Sequence, residues 1–177
     1  MKICGIDEAG RGCLAGPLVV AGVIFEKSVE GLRDSKKLTE KKREVLFEKI
    51  IPNAKYEIVF TDNKTIDEIG LSAALKNSII QIMTALNPEH TIMDGNTTFG
   101  VEGVEAIIKA DDKIDEVSAA SILAKVSRDR YIVEQASNFP LYQFEKHKGY
   151  GTALHRELIK EHGYCELHRR SFKIKSL

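Results

Sequence analysis

The acids of this 177-residue chain are placed where they could do chemistry together. Asp7 and Glu8 close an apolar run, Ile3-Cys4-Gly5-Ile6, and Asp94 closes His90-Thr91-Ile92-Met93. The pair Asp111-Asp112 comes directly after the strand-like segment 104–109. Carboxylates gathered beside an apolar core repel one another and are costly to keep ionised. A divalent cation is the usual reason to tolerate them. Mg²⁺ takes one or two carboxylates per ion, together with waters and phosphate oxygens. Two such ions roughly 3.5–4 Å apart can activate a water and stabilise the leaving 3′ oxygen of a phosphodiester. Metal-dependent phosphodiester hydrolysis or phosphoryl transfer is the chemistry suggested. Each acid taken singly is more often a solvated strand end than a ligand, and only the repetition after separate apolar runs points to a metal. Asp7 and Glu8 face opposite sides if both are strictly extended. One must then reach around the strand end, or the strand must bulge. Spacing leaves open whether Asp111 or Asp112 is the ligand.

The first two acids run straight into Ala9-Gly10-Arg11-Gly12. Two glycines leave backbone N–H and C=O groups open to close approach, and Arg11 adds a cation able to engage phosphate. A plain hairpin turn would use the same residues. Ser121 and Lys125 stand one helical turn apart and share a face. Tyr150, between Gly149 and Gly151, is either a recognition side chain or a core-edge tyrosine in a turn. His147, His155 and His168 fit no common zinc spacing, and hydrogen-bonding or phosphate-facing roles suit them better.

Periodicity supplies the elements that must position these groups. Residues 3–7 read as a buried strand and 18–25 as a central one, joined as an antiparallel hairpin across a Gly/Pro turn. Thr39 caps a helix over 40–50, which ends at Pro52. Alternation predicts a strand over 55–61, and Leu71, Leu75, Ile79, Ile82 and Leu86 keep a helical period up to Asn87-Pro88. Strands over 90–94 and 104–109 and helices over about 115–137 and 152–161 complete the set. This order predicts an α/β fold: a mixed five-stranded sheet, helices on both faces and a C-terminal helical segment. If 3–7, 90–94 and 104–109 lie side by side in parallel, their acids gather at one sheet edge, where α/β folds bind ligands.

Lys plus Arg and Asp plus Glu both number 26, so net charge neither announces a nucleic-acid partner nor excludes one. The distribution is uneven, because residues 141–177 concentrate basic side chains and four of the five histidines. One domain over 1–177, with a basic C-terminal region from about 141, is expected. Cys4, Cys13 and Cys165 offer neither a disulfide framework nor a zinc site, and a reducing compartment follows. No apolar signal core or membrane span is present, so a cytoplasmic monomer is expected.

The motifs also resemble a known family. Asp7-Glu8-Ala9-Gly10-Arg11-Gly12 with Leu14-Ala15-Gly16-Pro17 is similar to the opening of ribonuclease HII, the type 2 ribonuclease H. The likeness continues at Asp34-Ser35-Lys36-Lys37-Leu38, Met93-Asp94-Gly95-Asn96 and Ser118-Ala119-Ala120-Ser121 through Asp129. It ends with His147-Lys148-Gly149-Tyr150-Gly151-Thr152 and His168-Arg169-Arg170-Ser171-Phe172. The resemblance implies a ribonuclease H-like fold and an endonuclease that cuts the RNA strand of RNA–DNA hybrids. It implies incision 5′ of ribonucleotides embedded in duplex DNA as well, leaving 3′-hydroxyl and 5′-phosphate ends, with roles in ribonucleotide removal and primer processing. Asp7, Glu8, Asp94 and Asp111 take the places of its four metal-binding acids, serving Mn²⁺ or Mg²⁺, two ions during catalysis. The register chooses Asp111 over Asp112. Gly10, Arg11 and Gly12 are implied to contact the ribose 2′-hydroxyl through their backbone, and Tyr150 to stack on the next sugar. Lys36, Lys37, Ser121, Lys125, Lys146 and Lys148 are placed near phosphates. Three departures stand out: Ala110 and Gln143 where the family has glycine, and Cys13 in place of proline or a small residue. The rivals are ribonuclease HIII, whose added N-terminal domain finds no room before Ile3, and a silent hybrid-binding module, against which the intact acids argue.

Overall fold

The computed structural model describes residues 1–32 and 37–174. Its sheet has the order β3-β2-β1-β4-β5. Strand β1 (Ile3–Ala9) pairs antiparallel with β2 (Leu18–Phe25), which pairs antiparallel with β3 (Ala54–Thr61). On its other side β1 runs parallel to β4 (His90–Asp94), and β4 runs parallel to β5 (Val104–Ile107). The expected mixed five-stranded sheet and its parallel acidic trio are therefore present.

Alternation along β1 and β2 feeds two apolar layers. Val19, Ala21 and Val23 pack with Leu46 and Ile50 of α1 (Glu40–Ile50) and with α4 (Asp115–Ala136). Leu18, Val20 and Ile24 join Leu75, Ile79 and Ile82 of α3 (Leu71–Leu86) on the opposite face. Each fully buried Ile or Leu in these layers contributes about 1.5–3 kcal/mol, so both helix layers are held by burial rather than by helix propensity. Helix α4 begins almost in contact with β1: a Cβ on Gly5 would stand 2.2 Å from the Glu116 backbone. Only glycine allows that approach, and it carries Asp111, just upstream of α4, toward the end of β1.

Helix α2 (Asn63–Ile69) was not anticipated. It is short and polar, with Ile66 its one buried apolar residue, so no periodicity announced it. What starts it is a cap, the Asp62 carboxylate accepting from Thr65 N–H at 2.7 Å. Gly70, at φ 84°, separates it from α3, and the two helices bend by 111°. The C-terminal segment carries α5 (Phe144–His147) and α6 (Ala153–His162), the latter capped by Thr152. No single helix among the described residues is long and apolar enough to cross a membrane.

Two of the three departures cost little. Ala110 is buried and avoids positive φ, so a glycine there is not needed. Cys13 is buried without strain, and burial pushes its thiol upward. Gln143 does adopt the left-handed region (φ 54°, ψ 42°), which costs a non-glycine residue about 1–2 kcal/mol.

Candidate active site

One carboxylate oxygen each from Asp7, Asp94 and Asp111 lies within 4.8 Å of the other two. Parallel pairing of β1 with β4 sets the first two side by side, because Ile6 pairs with Met93. The short turn Ala110–Asp112 after β5 delivers the third. It is tied to β4 by Ala110 N–H, which donates to Asp94 Oδ1 at 2.8 Å. Within the pair left open by spacing, Asp111 is fully buried in the acidic group and Asp112 is exposed.

Strand β1 keeps an unbroken register with β2 from Gly5 to Ala9, so there is no bulge at Asp7-Glu8. Asp7 Oδ1 instead turns to accept from Glu8 N–H at 2.8 Å. Glu8, starting from the opposite face, brings its carboxyl against that of Asp7. Glu8 is outside the group of three oxygens but electrostatically part of it. Burial is the largest cause holding the Asp7 carboxyl well above its usual range, followed by repulsion from Glu8, with Asp94 and Asp111 adding to it. Burial also raises Glu8, while contact with Asp7 and the Arg11 guanidinium 3.8 Å away partly offset the rise.

These residues fit a hard divalent cation. The donors are carboxylate oxygens, they converge, and Glu8 Oε2 is buried without a hydrogen-bond partner among the described residues. The cluster could hold a metal ion, which would offset the repulsion that raises Asp7 and Glu8.

A cleft of about 340 Å³ opens beside the acids, lined by Glu8, Gly10, Arg11, Ser121, Lys125 and Tyr150 among others. Ser121 and Lys125 present one face of α4 to it, as their spacing predicted. Lys125 Nζ sits 4.7 Å from the Tyr150 ring centroid and donates to its hydroxyl at 3.3 Å, and it also pairs with Asp129 at 3.2 Å. The two glycines of the turn do different work. Gly10, at φ 85°, is required from below, since a Cβ would meet Arg128 Nε at 2.2 Å. Gly12 is exposed, with nothing within 4 Å of such a Cβ, and is open to a ligand. Lys148 donates its ammonium to the Glu145 carbonyl at 2.8 Å and is not among the residues lining the cleft. Lys146 is exposed and Lys37 lies on the surface, while Lys36 falls outside the described residues.

Sequence reasoning missed Arg43, which also lines the cleft, and the roles of Arg128 and Arg169, both fully buried. Arg128 could have been found: it shares a helical face with buried Ala124 and Ile132, four residues away on either side. Nothing local marks Arg169. The three histidines form a buried cluster, His147 stacked on His155 at 3.9 Å and His155 Nε2 2.9 Å from His168 Nε2. His155 Nδ1 lies 2.8 Å from the Tyr150 carbonyl, so the hydrogen-bonding role expected of it holds the Tyr150 turn.

A mixed sheet with helices on its faces places acids at the ends of β1 and β4 and in the turn after β5, an arrangement shared with known proteins. The family model for ribonuclease HII matches residues 4–175, and the chain belongs to the ribonuclease HII family, whose members are endoribonucleases. A ribonuclease HII of Aliarcobacter butzleri is 57% identical over 178 residues, covering 99% of this chain and 93% of that protein. The structure of the PCNA:RNase HII complex from Archaeoglobus fulgidus superposes with a TM-score of 0.87 at 31% identity, covering 100% of this chain and 98% of the other. A structure of Bst-RNase HIII in complex with Mn²⁺ shares the fold, with a TM-score of 0.73 at 19% identity, and this chain matches 63% of its length.

Proposed function

We propose that this protein hydrolyses the RNA strand of RNA–DNA hybrids and incises duplex DNA 5′ of embedded ribonucleotides, leaving 3′-hydroxyl and 5′-phosphate ends. The convergence of Asp7, Asp94 and Asp111 beside a cleft that also holds Gly10, Arg11, Lys125 and Tyr150 carries this reading. Asp7, Glu8, Asp94 and Asp111 would hold the metal, Mg²⁺ or Mn²⁺. Two such ions, when bound, would activate the attacking water and stabilise the leaving 3′ oxygen.

The chain's own residues supply the rest. Lys125 and Arg11 place positive charge beside the cleft, where they orient the phosphodiester backbone. The exposed turn at Arg11-Gly12 offers fixed backbone groups to the 2′-hydroxyl, the group that distinguishes RNA from DNA. Tyr150, steadied by Lys125 and by Arg128 5.4 Å from its ring, presents a flat surface for the neighbouring sugar. Pre-set backbone groups hold the scissile phosphate in register with the acids, which is worth more than affinity alone.

The test compares a duplex bearing one ribonucleotide, a long RNA–DNA hybrid and an all-DNA duplex, in Mg²⁺ and in Mn²⁺, with the cut ends sequenced. Cleavage of the first two with 3′-hydroxyl ends is expected. No cleavage of either in both metals would favour a hybrid-binding module instead.

A further inference from the structure

Arg169 is buried to 1% exposure, yet it forms no ion pair among the described residues. Among the described residues its guanidinium donates only to backbone carbonyls: Nε to Gly16 at 3.0 Å, and its terminal nitrogens to Arg11 at 3.1 Å and Gly10 at 2.6 Å. Burial pulls this group down to about 10. A buried cation bonded to carbonyls, with the Phe172 ring 5.0 Å from its Cζ, is a poor way to gain stability, since apolar replacements of buried charges are often neutral or better. What a guanidinium does well is fix several acceptors at once through a rigid planar fork. Here the acceptors belong to the turn that leads away from Asp7 and Glu8. With the Gly10 and Arg11 carbonyls drawn inward, the N–H groups of Arg11 and Gly12 donate to nothing among the described residues, at exposed positions.

Arg169 is itself held on both sides. Toward the turn, its N–H donates to Leu14 O at 2.9 Å, Gly16 N–H donates to Leu167 O at 2.9 Å, and Ala15 bridges to His168. Toward the opposite side, helix α2 acts as a bracket. Asn63 Nδ2 donates to the carbonyls of Glu166 (2.8 Å) and His168 (3.2 Å). The Asp67 carboxylate accepts from the N–H groups of Arg170 and Ser171, both at 2.9 Å. The strap 166–171 is thus stretched between α2 and the Gly10–Gly16 turn.

We propose that Arg169 is a positioning residue for ribose recognition: bracketed by α2, it turns the Gly10 and Arg11 carbonyls inward so that the turn shows fixed N–H donors to the 2′-hydroxyl. This rests on the ribonuclease activity proposed above. Arg169→Lys, Arg169→Gln and the surface variant Asp67→Ala test it, using cleavage of a one-ribonucleotide duplex together with melting curves. Mislaid recognition groups cost about tenfold to a hundredfold in rate. Such a fall in kcat per folded Arg169-variant molecule is expected, with KM little changed and the Mn²⁺-induced rise in melting temperature intact. Asp67→Ala is expected to show a smaller fall of the same kind. A lower melting temperature with unchanged kcat per folded molecule would mean a purely structural role and overturn the proposal. Loss of the Mn²⁺ effect would overturn it too, by placing the damage at the carboxylates. Should the Arg169 variants fail to fold, unchanged turnover in folded Asp67→Ala decides against it. A wild-type protein that cuts neither ribonucleotide substrate refutes the underlying activity, whereas active wild type with unaffected variants refutes only the role of Arg169.

Discussion

At the ends of β1 and β4, carboxylates crowd together with burial and mutual repulsion raising Asp7 and Glu8. A few residues along, the Gly10–Pro17 turn rests on two buried guanidinium groups whose donors are taken up by carbonyls. Arg128 holds Ala15, Pro17 and Lys148, and Arg169 holds Gly10, Arg11 and Gly16. One region is electrostatically incomplete and gains from a cation; the other is over-determined by the protein itself. A metal site can afford repulsion because the ion offsets it. A surface that must sense a single hydroxyl cannot, because selectivity depends on groups that do not move when substrate arrives.

Breaking the acidic side should have the largest consequence. Asp111→Asn keeps the shape of the side chain and removes a ligand charge, so cleavage should fall by about a hundredfold to a thousandfold or more. Melting of the metal-free protein should stay near wild type, since one source of repulsion is gone. Asp112→Asn, at an exposed position, should retain activity. If Asp112→Asn proves inactive and Asp111→Asn active, the ligand assignment is reversed.

On the recognition side the effect should be smaller and selective. Tyr150→Ala removes a stacking surface worth about 1–3 kcal/mol in comparable aromatic contacts, about fivefold to a hundredfold in rate at a lone ribonucleotide. Steady-state rates on that substrate check it, and rates equal to wild type would take Tyr150 out of recognition.

The smallest effect concerns the histidines behind Tyr150. Burial lowers His155 to about 4 and His168 to about 3, and lowers His147 as well. In the unfolded chain these groups titrate near 6.5, so on acidification the unfolded state takes up protons first. Their contribution to stability is therefore complete above about pH 6.5 and declines as pH falls toward 4. The raised Asp7 and Glu8 act with the opposite sign in the metal-free protein, which gains stability as they are protonated. Denaturant midpoints at pH 7 and pH 5 should fall less in His168→Gln than in wild type. An identical decline in both would show that the cluster is not what titrates.

Much of this site could be seen in the chain itself. Acids at the ends of apolar runs marked Asp7, Glu8 and Asp94, and the spacing of Ser121 and Lys125 put them on one face of α4. Other features had no local sign. Helix α2 depends on a single cap and one buried isoleucine, and its use as a bracket appears only when the strap 166–171 lies across it. Asp111 and Asp112 differ by one position, which spacing cannot separate; the family register favours Asp111, and the turn after β5 faces its carboxylate toward Asp7 and Asp94.

The sequence by itself determined the five strands and the longer helices in their order, the acidic strand ends and the glycine turn, because those rest on neighbours two to four positions apart. Tertiary structure alone decided how the turn is held: Arg169 meets Gly10 across 159 positions. No spacing rule reaches that far. A guanidinium finds its carbonyls only after the sheet and the C-terminal segment have brought them together, and that closure makes an ordinary arginine part of the cleft.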